Sequence, residues 1–294
     1  MFLFYFSYCA ALKSKSFAKV HKYSNIQYHF SVFSSIFLIL YLCSMLTLNI
    51  TLPTSWSDLT DRLLQLVFAL FAEDYTSTEV KVLCLLKWNH LKVAATIDNG
   101  RFLMKSGRRE FVLTARQIST AASTLDFLDT IPPTSIRISQ IGKHRAAAAD
   151  FEKVPFEQYL YIENLFQGYL NTQRPELLQQ IAEVLYDCPN LRTTKAHLVG
   201  TFYWMASLKQ YFAREFPNFY RPAAPASEAN LLGTPEQSTY SQLRDTTNAM
   251  IRALTGGDIT KESRILQMDT WRALTELDAK AREAEELRKL THHK

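Results

Sequence analysis

The chain has 294 residues, 47% of them hydrophobic, with 33 Lys and Arg against 28 Asp and Glu for a net charge of +5. Residues 1–44 hold four lysines and no acidic residue, so they carry +4; the remaining 29 basic and 28 acidic residues leave +1 on residues 45–294. A nearly neutral body of this length excludes a broad phosphate footprint, makes nucleic acid an unexpected partner, and suffices for one large domain or two small ones.

The first 44 residues stand apart from the rest, holding 12 of the chain's 37 aromatic residues. Residues 30–50 are apolar, and 21 helical residues at about 1.5 Å each span a bilayer core of about 30 Å. Lys13, Lys15, Lys19 and Lys22 lie upstream, the arrangement of a membrane segment with a cytoplasmic N-terminus and an exported body. Against this, Ser31, Ser34, Ser35, Ser44, Thr47 and Asn49 dilute the stretch, and residues 46–52 alternate like a strand. No small-x-small cleavage site follows the apolar core. The other readings are a buried apolar hairpin or helix, and a start of translation at Met45. The body is expected to be cytoplasmic in the last case and membrane-attached if the leader is genuine.

From there the elements follow in order. A helix opens at Ser57 or Asp58 and runs to about Ala72, with Leu59, Leu63, Leu66, Val67 and Leu70 on one face. Thr76 and Glu79 form a capping box for a second helix, to about Trp88. Between 92 and 114 the period changes to two. Val93-Ala94-Ala95-Thr96-Ile97, the turn Asp98-Asn99-Gly100 and the residues after it read as a hairpin, with Glu110-Phe111-Val112-Leu113 as a candidate third strand. Thr114 and Gln117 cap a helix to about Phe127.

Residues 129–154 read as the internal boundary, broken by Pro132-Pro133 and carrying the basic loop Gly142-Lys143-His144-Arg145. Pro155 begins a helix marked by Phe156, Tyr159, Leu160, Glu163, Phe166 and Tyr169. Pro175 begins another, to about Tyr186, and Thr194 a long one to about Phe216. Short connections make these three consecutive antiparallel helices. Pro217, Pro222, Pro225 and Pro235 mark a linker. A helix to Leu254 follows, stopped by Gly256-Gly257, and 260–290 reads as one long helix with the pairs Glu276–Lys280 and Asp278–Arg282.

The expected fold class is therefore mainly α: a helical bundle with one small antiparallel hairpin or three-stranded sheet near 92–113. The expected organisation is a leader (1–44), a helix–hairpin–helix subdomain (45–130), a helical bundle (155–216), a Pro-rich linker (217–235) and C-terminal helices (236–294).

Chemistry is sparse. No nucleophile elbow, Walker loop, zinc-protease motif or paired CxxC occurs. His21, His29, His90, His144, His197, His292 and His293 are scattered, none with a second His or Cys at ligand spacing. Cys84 and Cys188, the two body cysteines, sit among apolar neighbours and read as buried free thiols. Asp126 with Asp129, and Glu157 with Glu163, are acidic pairs without a supporting motif. No catalytic residue, cofactor or metal site is expected. Two capped helices before a hairpin with Arg101, Lys105, Arg108 and Arg109 suggest a winged helix over 58–113, but a winged helix needs three. Phe202-Tyr203-Trp204 reads as core packing.

Gly257-Asp258-Ile259-Thr260-Lys261-Glu262, then Met268-Asp269-Thr270-Trp271-Arg272-Ala273-Leu274-Thr275-Glu276-Leu277-Asp278, together with Leu52-Pro53-Thr54-Ser55-Trp56-Ser57-Asp58-Leu59, resemble uncharacterised proteins of bacterial prophage-like gene clusters, found among morphogenesis genes. The resemblance covers about 45–290. It implies a role near tail or capsid assembly and transfers no functional residue. The expectation is a non-enzymatic structural or assembly protein that binds a protein partner, or itself, through 260–290. Trp271, Leu274 and Leu277 are its candidate partner-binding residues, anchoring the helix on the domain or on a partner. Deleting 258–294 should then leave the core folded. A single-pass membrane-anchored interaction protein and a DNA-binding regulator using 58–113 are the alternatives.

Overall fold

The computed structural model describes residues 50–98, 100–220 and 239–292. The expectations for the leader, for Asn99 and for the linker beyond Tyr220 lie outside the described residues.

Local chemistry places the helix starts. Thr76 accepts the backbone N–H of Glu79 while the Glu79 carboxylate accepts that of Thr76 at 2.8 Å, opening α2 (Ser77–Trp88) after α1 (Asp61–Phe71). A box of this kind satisfies two N–H groups that the first helical turn leaves without partners, worth about 1 kcal/mol. Thr114 and Gln117 do the same for α3 (Ala115–Ala122), which tightens into a 3-10 stretch over Ser123–Asp129. One start differs from expectation. The Asp58 carboxylate accepts the N–H groups of Thr54 and Ser55 at 2.9 and 3.0 Å. This closes a separate turn over Trp56–Asp58, so α1 begins only at Asp61.

Between α2 and α3 lies the sheet: β1 (Lys92–Asp98), β2 (Arg101–Ser106) and β3 (Arg109–Thr114), antiparallel in the order β1-β2-β3. Gly100 turns the first hairpin at φ +87°, where glycine meets no steric cost. β2 and β3 pair without a break, and β3 is the third strand. Met104 and Leu113 are buried with Ile50, Leu85, Leu91 and Ala121 in a small core under one face, whereas every residue of β1 is exposed.

The remaining elements are a two-stranded hairpin, β4 (Gln140–Ile141) and β5 (His144–Arg145), and the helices α4 (Phe156–Thr172), α5 (Pro175–Leu185), α6 (Lys195–Glu215), α7 (Thr239–Thr255), α8 (Glu262–Leu266) and α9 (Thr270–His292). The fold is thus mainly α with one small sheet and this extra hairpin. α6 is its axis: α1 and α5 pack on it, and α4 packs on α5. Gly200 permits the closest approach, since a Cβ there would meet Phe68 Cδ2 at 3.0 Å and Ile138 Cδ1 at 3.2 Å. Trp204, Met205, Leu208 and Phe212 of α6 are buried, and the Trp204 indole N–H donates to the Ala149 carbonyl at 2.7 Å. Of the aromatic run, Trp204 is core, while Phe202 and Tyr203 are partly buried and pack against it.

The core does not divide where the sequence suggests. One buried cluster takes in Trp56, Val67, Phe68, Ile136, Ile138, Phe151, Val154, Phe156, Trp204, Phe212, Leu274 and Leu277. Residues 129–154 are therefore a core segment rather than a boundary. Their backbone finds partners along the way: Ala147 N–H donates to Leu185 O at 2.8 Å, and Ile138 O accepts the Tyr186 hydroxyl at 2.6 Å. Among the described residues, the sheet with parts of α2 and α3 has a second, small core of its own. The proposed 45–130 unit is divided by this, because α1 belongs to the main cluster.

Candidate functional site

The expected single helix over 260–290 is broken into a 3-10 turn over Ile259–Lys261 and two α-helices. α8 ends at Leu266, and α9 starts anew at Thr270. The break is a seam. The N–H of Phe156 donates to Met268 O at 2.8 Å, and the Thr270 N–H and hydroxyl both donate to Val154 O, at 2.9 and 2.6 Å. Asp269 completes it. One carboxylate oxygen takes the N–H groups of Trp271 and Arg272 at 3.0 and 3.3 Å, and the other takes that of Lys153 at 2.7 Å. The carboxylate thus caps α9, where negative charge is favourable, while fixing it to the start of α4.

Beyond the seam the first half of α9 faces inward. Ala273 and Leu274 are fully buried and Leu277 nearly so. The Trp271 ring lies 5.7, 5.7 and 5.3 Å from those of Tyr211, Phe212 and Phe216, and its N–H donates to Asp150 O at 2.7 Å. Of the two anchorages expected for Trp271, Leu274 and Leu277, on the domain or on a partner, the contacts are those of the first: they seat α9 on its own domain, with Leu274 and Leu277 buried there. The sequence offers the apolar spacing of the stripe but no information on which surface covers it.

Asp278 marks the end of the seat. Its carboxylate accepts the Asn218 N–H at 2.7 Å, the Asn218 side-chain amide at 2.8 Å and the Phe219 N–H at 2.9 Å. Burial alone would raise its pKa; these three donors and the nearby Arg282 outweigh burial and hold it below the ordinary 3.8. A lowered folded-state pKa gives stability that is present above the unfolded value and lost as pH falls through the folded one. Asp278→Asn should therefore lower the melting temperature at neutral pH and flatten its decline below about pH 4. An acid limb unchanged in slope would refute this, and circular dichroism melts across that range measure it.

From Lys280 onward no described residue of α9 is buried, and Leu287 and Leu290 are 64% and 67% exposed. Alternating charges cover this half, with Lys289 Nζ 3.7 Å from Glu285. The helix is thus keyed at one end and projects at the other.

The remaining candidates are structural. Asp126 and Asp129 both pair with Lys81, at 2.6 Å for Asp126. Glu157 accepts the Gln267 amide at 2.7 Å. Glu163 pairs with Lys209 and takes the Gln167 amide at 2.7 Å through one oxygen, while its other oxygen is buried without a partner. That oxygen belongs to a residue lining a cleft of about 380 Å³ with Tyr159, Phe219, Tyr220 and Met250, in which the Tyr159 and Tyr220 hydroxyls meet at 2.7 Å. A neighbouring cleft of about 760 Å³ is lined by Tyr161, Asn164, Asn171, Arg244 and Asn248, among others. On the sheet, Arg101 pairs with Asp98, and Lys105 lies 3.7 Å from Glu110, so two cations of the suggested wing are engaged within the protein. Among the described residues no group of three or more His, Cys, Asp or Glu could hold a metal. No described helix is long and apolar enough to cross a membrane.

One contact has no signature in the sequence. Cys188 Sγ lies 3.4 Å from His144 Nε2, across 44 positions of chain. Cys84 is buried as expected, but Cys188 is half-exposed. Comparison with protein-family models, with curated proteins and with solved structures finds no match to this chain.

Proposed function

We propose that this protein is a non-enzymatic assembly protein of a prophage-like element, working in the cytoplasm during tail or capsid morphogenesis. On this reading the exposed leucines in the second half of α9 carry the contact with a protein partner or a second copy. The observation that supports it is the asymmetry of that helix, anchored from Asp269 to Asp278 and without a buried described residue from Lys280 onward, with Leu287 and Leu290 exposed. An anchored helix offers a stiff projecting rod at little entropic cost on binding. The exposed leucines supply apolar area and the interspersed charges supply register.

The test is the double substitution Leu287→Asp with Leu290→Asp in the full chain. Folding stability should change by no more than about 0.5 kcal/mol, as for exposed positions elsewhere. Burial of one leucine is worth about 1.5–3 kcal/mol, so the variant should lose association by tenfold or more. Sedimentation and co-purification read this loss. Wild-type behaviour in the double variant removes the reading.

A further inference from the structure

Cys188 and His144 are held in contact by two unrelated pieces of backbone. At the end of α5, Asp187 adopts a left-handed conformation at φ +46°. Its N–H donates to Val184 O at 3.2 Å, and that of Cys188 donates to Glu183 O at 2.9 Å. This paired arrangement closes a helix C-terminus in the usual left-handed way, and it sets Cys188 at a defined place just past the turn. His144 comes from the β4–β5 hairpin, where it pairs with Ile141, a residue of the main core. The hairpin is in turn fastened to the end of α5 through Ala147 N–H to Leu185 O and the Tyr186 hydroxyl to Ile138 O. The two backbone segments that carry these side chains are thus held together, and the Cys188 thiol also lies 3.7 Å from Pro189 O.

We propose that Cys188 and His144 form a nucleophile–base pair that undergoes thiol–disulfide exchange with low-molecular-weight disulfides. A thiol within reach of an imidazole is the arrangement in which a base can take the proton as sulfur attacks. Both side chains are half-exposed, so a small disulfide can reach the sulfur. In the step, His144 Nε2 takes the thiol proton and Cys188 Sγ bonds to one sulfur of the disulfide. The S–S bond of the reagent breaks, its second sulfur leaves as a thiolate, and the imidazolium returns the proton to it. The Cys188 sulfur is oxidised to a mixed disulfide, and one half of the reagent is reduced to a free thiol. Lys143 and Arg145 flank the histidine in sequence, which suits reagents bearing carboxylates.

The molecule carries its own control. Cys84 is fully buried, and burial pushes its thiol up to about 12. The probe is glutathione disulfide applied to the full-length chain at neutral pH, with the mixed disulfide quantified at each cysteine by peptide mass spectrometry. Cys188 should be modified while Cys84 stays reduced, and His144→Gln should slow Cys188 by about tenfold. Loss of the imidazole uncovers the sulfur, so exposure alone predicts an equal or faster rate in the variant, and that result overturns the proposal. If His144→Gln does not fold, the wild-type chain decides. Faster modification of Cys188 in the folded protein than in urea supports the pair, and an equal or slower rate overturns it.

Discussion

Removal of residues 258–294 should abolish folding, not merely binding. The deletion strips Ile265, Ala273, Leu274 and Leu277 from the main core and exposes the Tyr211, Phe212 and Phe216 rings beneath Trp271. Each buried leucine is worth about 1.5–3 kcal/mol, and a large aromatic at least as much. Their sum rivals the whole stability of an ordinary domain, about 5–15 kcal/mol. The seam hydrogen bonds go as well, leaving the N–H of Phe156 and the carbonyl of Val154 without their partners. Cutting instead after Ala279 keeps the seam, the leucines and Asp278, and should leave a cooperative unfolding transition close to wild type. Urea titrations of the two truncations separate these outcomes. A folded 1–257 fragment would show that α9 lies on the domain without supporting it.

Phe212→Ala should cost about 3–5 kcal/mol, the range for a buried aromatic that leaves a cavity. The ring has no exposed surface and meets those of Phe151, Tyr159, Tyr211, Phe216 and Trp271. It touches three separate parts of the chain: the loop before α4, α4 itself and α9. Collapse around the void is hindered because two of these neighbours are fixed by hydrogen bonds, Trp271 to Asp150 O and Tyr159 to Tyr220. Equilibrium unfolding in urea followed by circular dichroism measures it. A loss below about 1 kcal/mol would mean that the aromatic cluster repacks freely.

What could be read in advance follows a physical division. Capping boxes are four-residue signals, so Thr76–Glu79 and Thr114–Gln117 mark their helices correctly, as does Pro175 at the start of α5. The hairpin turn and the mainly α class were legible for the same reason, since periodicity and turn chemistry are local. The break before Thr270 was not. Its seam to Val154 spans 116 positions and has no local signal; the one local mark of the break is Asp269, a helix-capping residue type whose carboxylate takes the N–H groups of Trp271 and Arg272. Periodicity correctly marked Leu274 and Leu277 as an apolar stripe, but an apolar stripe looks alike whether a chain covers it with its own surface or with another's. Cys188 and His144 meet only because a helix end and a hairpin are fastened together, a tertiary fact with no counterpart in spacing.

The seam at Val154 and Thr270 also governs when this protein can finish folding. α9 leaves the ribosome after every element it packs upon, so the nascent chain must hold an aromatic cluster open to water until that helix arrives. Synthesis interrupted before Thr270 would release a product with its sticky interior uncovered, a natural target for chaperones and proteases. Completion of the interior thus acts as a check that the message was read through the anchored first half of α9.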